Sequence, residues 1–155
     1  MRIVFLHGLE SRPGGAKPRR LQSAGHDVFE PELPKGDFKE SLSIAQVTID
    51  ENTPDVVVGS SRGGAIAMGV NSRGAPLVLV APAWNKYGNN AKIASNSTIL
   101  HSENDDIVPY DDSVLLSTLN KARLIKVGED HRMNDNQALD ALLTAVEGHD
   151  KTKGR

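Results

Sequence analysis

Short apolar runs recur along the chain, and the segments between them carry apolar residues at helical spacing. The runs are rich in β-branched residues and several lack polar alternation, which is typical of strands buried on both faces of a parallel sheet. These runs are Ile3–Leu6, Val28–Phe29, Val56–Val58, Leu77–Val80, Thr98–Leu100 and Leu124–Val127. Helical spacing is found in Phe38–Glu51, Ala65–Val70, Val114–Leu119 and Ala138–Val146.

This alternation predicts an α/β fold with about six mostly parallel strands and helices on both faces of the sheet. We expect a single domain over residues 1–148 and a frayed polar tail over residues 149–155. Pro82–Asn96 separates the fourth run from the fifth and contains a proline, a glycine and several asparagines. That composition predicts a surface loop.

Composition places the chain among ordinary globular domains. It has 155 residues, of which 38% are hydrophobic and 25% charged, and a net charge of −2, which argues against binding nucleic acid through its phosphates. It has no cysteine, which excludes disulfides, thiolate metal sites and a cysteine nucleophile. The apolar stretch before His7 is too short for a signal peptide, and no run approaches a membrane span. We therefore expect a cytoplasmic protein that binds neither nucleic acid nor membrane.

The sharpest local signal is a G-x-S-x-G motif formed by Gly59, Ser61 and Gly63. An apolar strand precedes it and an apolar helix follows it, as a nucleophile turn requires. The glycines remove Cβ atoms that would collide in so tight a turn, and the Arg62 N–H at the helix start could stabilise developing negative charge. Ser60 is the alternative nucleophile, but no glycine pair flanks it. Neither the Walker pattern nor a dinucleotide fingerprint is present.

A serine nucleophile needs a base and an acid that orients the base. In folds with this turn, the acid and then the histidine follow the serine along the chain. The histidines after Ser61 are His101, His131 and His149, and His131 directly follows the last predicted strand. Several carboxylates after the fifth run compete for the role of acid. These are Glu103, Asp105, Asp106, Asp111 and Asp112.

With these motifs in order, the chain resembles the α/β-hydrolase superfamily, and most of all the small cap-less bacterial serine esterases of the YqiA type. The resemblance covers nearly the whole chain. It rests on Leu6-His7-Gly8, Gly-Ser-Ser-Arg-Gly-Gly at residues 59–64, His-Ser-Glu-Asn-Asp-Asp-Ile-Val-Pro at residues 101–109 and Gly-Glu-Asp-His at residues 128–131. Ser102 stands where the family usually has glycine.

This resemblance implies Ser61 as nucleophile, Asp105 as acid and His131 as base, with no cofactor and no metal. It implies the N–H groups of Leu9 and Arg62 as an oxyanion hole, with His7 bracing the loop and His101 shaping the acid loop. The implied sheet order is second, first, third, fourth, fifth, sixth strand, with no cap domain. The expected activity is hydrolysis of a small ester or thioester, by a monomer or weak homo-oligomer.

Two features concern the substrate. Trp84 and Tyr87 lie in the predicted loop Pro82–Asn96 and could line a substrate pocket, or could pack on the sheet edge. A basic run follows the first strand and could recognise an anionic ester, although basic residues at the start of a helix usually form a solvated face. That run consists of Arg12, Lys17, Arg19 and Arg20.

Other functions share most of these signals. The same three residues would serve another acyl hydrolase or an acyltransferase, because fold and triad do not fix the substrate. A non-catalytic binding protein could also keep the fold, although no member of the Ser61, Asp105 and His131 set is lost. A nucleotide-binding flavodoxin-like domain is disfavoured by the absence of an acidic ribose-binding pattern.

Overall fold

The computed structural model describes residues 1–151 and contains six strands and five helices, which alternate along the chain except between the fourth and fifth strands. The strands are β1 (Arg2–Leu6), β2 (Asp27–Phe29), β3 (Val56–Ser60), β4 (Leu77–Val80), β5 (Thr98–His101) and β6 (Arg123–Lys126). The helices are α1 (Ala16–Ser23), α2 (Phe38–Asn52), α3 (Arg62–Gly69), α4 (Tyr110–Asn120) and α5 (Asn136–Glu147). Residues 152–155 of the expected polar tail lie outside the described residues.

The strands form one sheet in the order β2-β1-β3-β4-β5-β6, and every neighbouring pair is parallel. The predicted fold class and strand order are therefore confirmed. From β1 the chain first adds β2 on one side of the sheet and then crosses to add β3 on the other side. The strand order therefore reverses between β1 and β3, where Leu6 pairs with Gly59. Ligands of open parallel sheets bind outside the carboxyl ends of the strands at such a point.

Strand alternation divides the core into two apolar layers. Val4, Leu6 and Val57 face the layer that also holds residues of α2, α3 and α4. Ile3, Phe5 and the Val56 and Val58 pair face the layer that holds residues of α1 and α5. Both faces of the central strands are therefore buried, which is why these strands read as continuous apolar runs.

The observed helix ends differ from those predicted from the spacing of apolar residues wherever a helix has few apolar side chains. The apolar pattern gave no bounds for α1, since only Pro18 and Leu21 of this helix are buried. The first turn of α3 consists of Arg62 and glycines, so the apolar pattern starts only at Ala65 although the helix starts at Arg62. The helical pattern likewise started at Val114, whereas α4 begins at Tyr110.

Residues 81–97 form turns and loop, without a helix or strand. The Asn120 side chain at the end of α4 holds this segment, because it donates to the Ala91 carbonyl and accepts from the Ile93 N–H. The Trp84 indole N–H donates to the Asp112 carbonyl at the other end of the same helix. No cap domain therefore covers the carboxyl ends of the strands in this part of the chain.

Candidate active site

Ser61 lies in a strained turn between β3 and α3. Its backbone angles are φ 56° and ψ −115°, a conformation that a residue with a side chain rarely adopts. The Ser61 N–H donates to the Val80 carbonyl at 2.8 Å, and the Ser61 carbonyl accepts from the Ala83 N–H at 3.0 Å. These bonds to the end of β4 and the segment after it hold the strained residue in place.

The glycines of the turn are required by close backbone contacts. A Cβ at Gly59 would overlap the Gly63 carbonyl, and a Cβ at Gly63 would overlap the Leu6 carbonyl at the end of β1. The turn therefore packs directly against the loop after β1. Gly8 in that loop lies beside the nucleophile, since a Cβ there would be 3.5 Å from the Ser61 Cβ.

The structure brings Ser61, His131 and Asp105 into one chain of hydrogen bonds. Ser61 Oγ lies 2.9 Å from His131 Nε2, and His131 Nδ1 lies 2.6 Å from Asp105 Oδ2. The Asp105 side chain is fully buried and that of His131 is 16% exposed. Asp106, the neighbouring carboxylate, is exposed and takes no part in this chain.

The surroundings of Asp105 favour its ionised form. Burial alone would raise the pKa of the Asp105 carboxyl, but hydrogen bonds from His131 and from the Val108 and Ile107 amides outweigh it. The pKa of Asp105 therefore lies below its ordinary value. Both amides bind Oδ1 at 2.8 Å, which leaves Oδ2 for the histidines.

His101 is a second histidine on the same carboxylate. Its Nε2 lies 2.9 Å from Asp105 Oδ2 and 3.1 Å from the Val108 carbonyl; because both are acceptors, Nε2 carries the proton. Its Nδ1 lies 2.6 Å from Ser113 Oγ. Burial lowers the pKa of His101, against the opposing effect of Asp105, so the ring is held neutral and Ser113 donates to it. The partnership of His101 with Ser113 has no sequence signal, because a buried serine in a helix looks like any other.

The predicted oxyanion donors lie beside Ser61. Leu9 and Arg62 line the same cavity as Ser61, and neither N–H donates in the turn, loop and cap hydrogen bonds of residues 1–151. His7 fixes the orientation of the Leu9 N–H. Its Nε2 accepts from the Leu33 N–H at 3.0 Å, so Nδ1 carries the proton and donates to the Gly8 carbonyl at 2.8 Å. In a trans peptide this carbonyl and the Leu9 N–H point in opposite directions.

The Arg62 side chain turns away from solvent. It is 2% exposed, and its Nη2 donates to the Pro34 carbonyl at 2.9 Å. The guanidinium lies over the rings of Phe38 and Tyr87, at 5.5 and 5.8 Å from their centroids. This side chain therefore ties the nucleophile turn to the loop before α2, a role that its position in the motif does not reveal.

A cavity of about 720 Å³ opens above Ser61 and His131. Tyr87 lines it and stacks on Phe38 with ring centroids 5.0 Å apart. Trp84, expected beside Tyr87, is 6% exposed and belongs to the core layer on the α2 side of the sheet. The structure places Trp84 in the core rather than in the cavity wall, and its indole N–H donates to the Asp112 carbonyl of α4.

Residues 1–151 contain no group of three or more His, Cys, Asp or Glu side chains arranged to hold a metal ion. In the same part of the chain, no helix has both the length and the apolar character needed to cross a membrane.

Solved structures with this fold are numerous, although no protein-family model and no curated protein matches the chain. One is a hydrolase of the alpha/beta superfamily from Xanthomonas campestris, with 23% identity, a TM-score of 0.74 and 95% of each chain covered. The ydeN gene product of B. subtilis is 16% identical, with a TM-score of 0.76 and 96% of this chain and 97% of that one covered. The monoacylglycerol lipase of Paleococcus ferrophilus is 15% identical, with a TM-score of 0.74 and coverage of 96% and 94%. At these identities the likeness shows the fold: the prediction of an α/β-hydrolase fold is confirmed.

Proposed function

We propose that the chain is a serine hydrolase that cleaves a small ester or thioester through an acyl-enzyme on Ser61. One observation carries the proposal: the 2.9 Å contact of Ser61 Oγ with His131 Nε2, continued at 2.6 Å to Asp105, at a strained turn facing a cavity. Nucleophile, base and orienting acid are the groups that acyl transfer requires. The names of similar structures, which include a hydrolase and a lipase, support the same class of reaction.

Acylation begins with attack of Ser61 Oγ on the substrate carbonyl carbon. His131 Nε2 accepts the hydroxyl proton as the new bond forms, and its Nδ1–H stays hydrogen-bonded to Asp105 Oδ2. The ionised Asp105 carboxylate stabilises the imidazolium and holds the tautomer in which Nε2 is free to accept. The carbonyl oxygen becomes an oxyanion, for which the N–H groups of Leu9 and Arg62 supply donors.

Collapse of this intermediate breaks the bond to the leaving group, which takes the proton from His131 Nε2. The acyl group remains on Ser61 as an ester. A water molecule then attacks the acyl carbon and gives a proton to His131, and the second collapse returns that proton to Ser61 Oγ and releases the acid. The cycle returns Ser61 and His131 to their starting states and needs no reactant other than the substrate and water.

The proposal is tested by hydrolysis of p-nitrophenyl acetate and p-nitrophenyl butyrate. We expect turnover by the wild type and a loss of at least about 10³-fold in kcat/KM for Ser61→Ala, because the remaining donors only stabilise attack by water. Ser60→Ala is the matched control, since Ser60 has no place in the hydrogen-bonded set, and should keep most of the activity. Hydrolysis that persists in Ser61→Ala would show that another group performs the chemistry.

A further inference from the structure

The cavity above Ser61 has a cationic wall, although the whole chain carries a net charge of −2. Its cationic side chains come from the loop after β1, from α1, from the segment after β4 and from the loop after β6. They are Arg12, Lys17, Lys86 and Arg132. Within residues 1–151, none of the four forms an ion pair with a carboxylate.

Against these four cations, the same wall holds three acidic residues. Glu10 lies 3.4 Å from Lys35, outside the cationic set. Asp130 Oδ1 accepts from the backbone amides of Arg132 and Met133, at 3.0 and 3.3 Å. Asp106 is the remaining acidic residue of the wall. The cations therefore outnumber the carboxylates that face them, and an anion in the cavity would find unpaired donors.

Lys17 is the cation with the most fixed position. Its ammonium donates to the Arg132 carbonyl and to Asn134 Oδ1, so two of its three protons have neutral acceptors and one is left. Burial lowers the pKa of Lys17 to about 8, partly offset by the nearby Asp130 carboxylate. An anionic ligand beside this ammonium would replace the water that burial has removed.

The contacts of Lys17 also indicate which portion of the substrate would lie beside it. Arg132 and Asn134, which hold its ammonium, follow His131 in the chain. His131 must reach the oxygen of the departing alcohol to protonate it. The loop after β6 therefore carries both His131 and the two groups that hold Lys17, and a leaving group bound beside this loop would lie near both side chains.

We propose that the preferred substrate is an ester whose alcohol portion carries a negative charge, a carboxylate or a phosphate, which Lys17 binds together with Arg12. This inference rests on the proposed function. The inference gives a role to only two members of the basic run. Arg12 and Lys17 line the cavity, whereas Arg20 pairs with Asp140 on α5 at 2.8 Å and Arg19 is exposed outside the cavity wall.

Two ester pairs test this preference, and the members of each pair differ by one negative charge. In the first pair, 3-acetoxybenzoate and 3-acetoxybenzamide differ in the charge of the leaving group. In the second, mono-p-nitrophenyl adipate and p-nitrophenyl hexanoate differ in the charge of the acyl group. We expect kcat/KM to be about tenfold higher for the benzoate than for the benzamide, since a charge-assisted hydrogen bond contributes on that scale. The adipate should gain less over the hexanoate, and raising the salt from about 20 to about 500 mM should shrink the benzoate preference.

Three variants assign the effect to residues. Lys17→Met and Arg12→Gln should each lower the benzoate-to-benzamide ratio several-fold, and the double variant should bring it near one. The ratio is used because it cancels any general loss from disturbing the loop of His131. Arg19→Gln removes the same charge from the same helix, outside the cavity, and should leave the ratio unchanged.

The outcomes separate this inference from the proposed function. Equal hydrolysis of benzoate and benzamide, a preference confined to the adipate, or a ratio unchanged in the double variant would each overturn the inference while esterase activity stands. If no ester is hydrolysed by the folded wild type, the proposed function fails first and the inference fails with it.

Discussion

Replacing Asp105 with asparagine should lower kcat for ester hydrolysis by about 10⁴-fold without unfolding the chain. The backbone amides of Ile107 and Val108 hold Oδ1 at 2.8 Å, so the amide oxygen of asparagine would take that place. Its NH₂ group would then face His131 Nδ1 and His101 Nε2, both of which donate to Oδ2 in the wild type. His131 would be left with its proton on Nε2, where it can no longer accept the proton of Ser61.

Asp106→Asn is the matched control, because it makes the same chemical change one residue away on an exposed side chain. Steady-state kinetics with p-nitrophenyl butyrate should show near wild-type kcat for this variant. Circular dichroism should show that both variants are folded. If Asp105→Asn kept more than a tenth of the activity, or if Asp106→Asn lost about 10⁴-fold in kcat, Asp105 would not be the residue that orients His131.

Replacing Gly63 with alanine should destabilise the fold and abolish activity. In an exposed helix this change would add about 1 kcal/mol of stability. Here the new Cβ would overlap the Leu6 carbonyl, and backbone atoms cannot move aside as a flexible side chain does. An overpacking cost of about 3 kcal/mol outweighs the helical gain and leaves a net loss of about 2 kcal/mol. Thermal unfolding should show a midpoint lower by about 4–8 °C.

Gly36→Ala provides the comparison, since a Cβ there meets no atom within 4 Å. Its unfolding midpoint should stay close to that of the wild type. If Gly63→Ala were as stable and as active as Gly36→Ala, the close packing of the nucleophile turn on β1 would not be needed. Loss of activity in Gly63→Ala is expected because the turn must move away from Leu9, and the two oxyanion donors would then separate.

The fold could be predicted because its periodicity is local. Strands buried on both faces are continuous apolar runs, as in Val56–Val58, and the apolar stripe of α2 has helical spacing. Element ends were less accurate where apolar side chains are missing. β3 runs on to Ser60 through a glycine, and α3 starts among glycines, so neither end carries an apolar signal.

The site was predictable where a backbone constraint leaves a motif. The nucleophile turn needs its glycines, and the strand order brings the loops of Asp105 and His131 to the same edge of the sheet. The remaining contacts join positions far apart in sequence. The His7 ring accepts from the Leu33 N–H, and the Arg62 guanidinium donates to the Pro34 carbonyl. The partners of each pair lie far apart in the sequence, so no local sequence pattern predicts these contacts. The burial of Trp84 is of the same kind, because an aromatic residue in a loop is equally compatible with a core and with a pocket wall.

Labelling with a fluorophosphonate, followed by intact mass and peptide mapping, tests the central claim most directly. The reagent phosphonylates a serine only when a base activates the hydroxyl, so it reports the Ser61–His131 pair without requiring knowledge of the substrate. We predict one adduct per chain, on Ser61, absent from Ser61→Ala and retained in Ser60→Ala. A folded wild type that takes up no label, or an adduct that persists in Ser61→Ala, would contradict the assignment of Ser61 as the nucleophile.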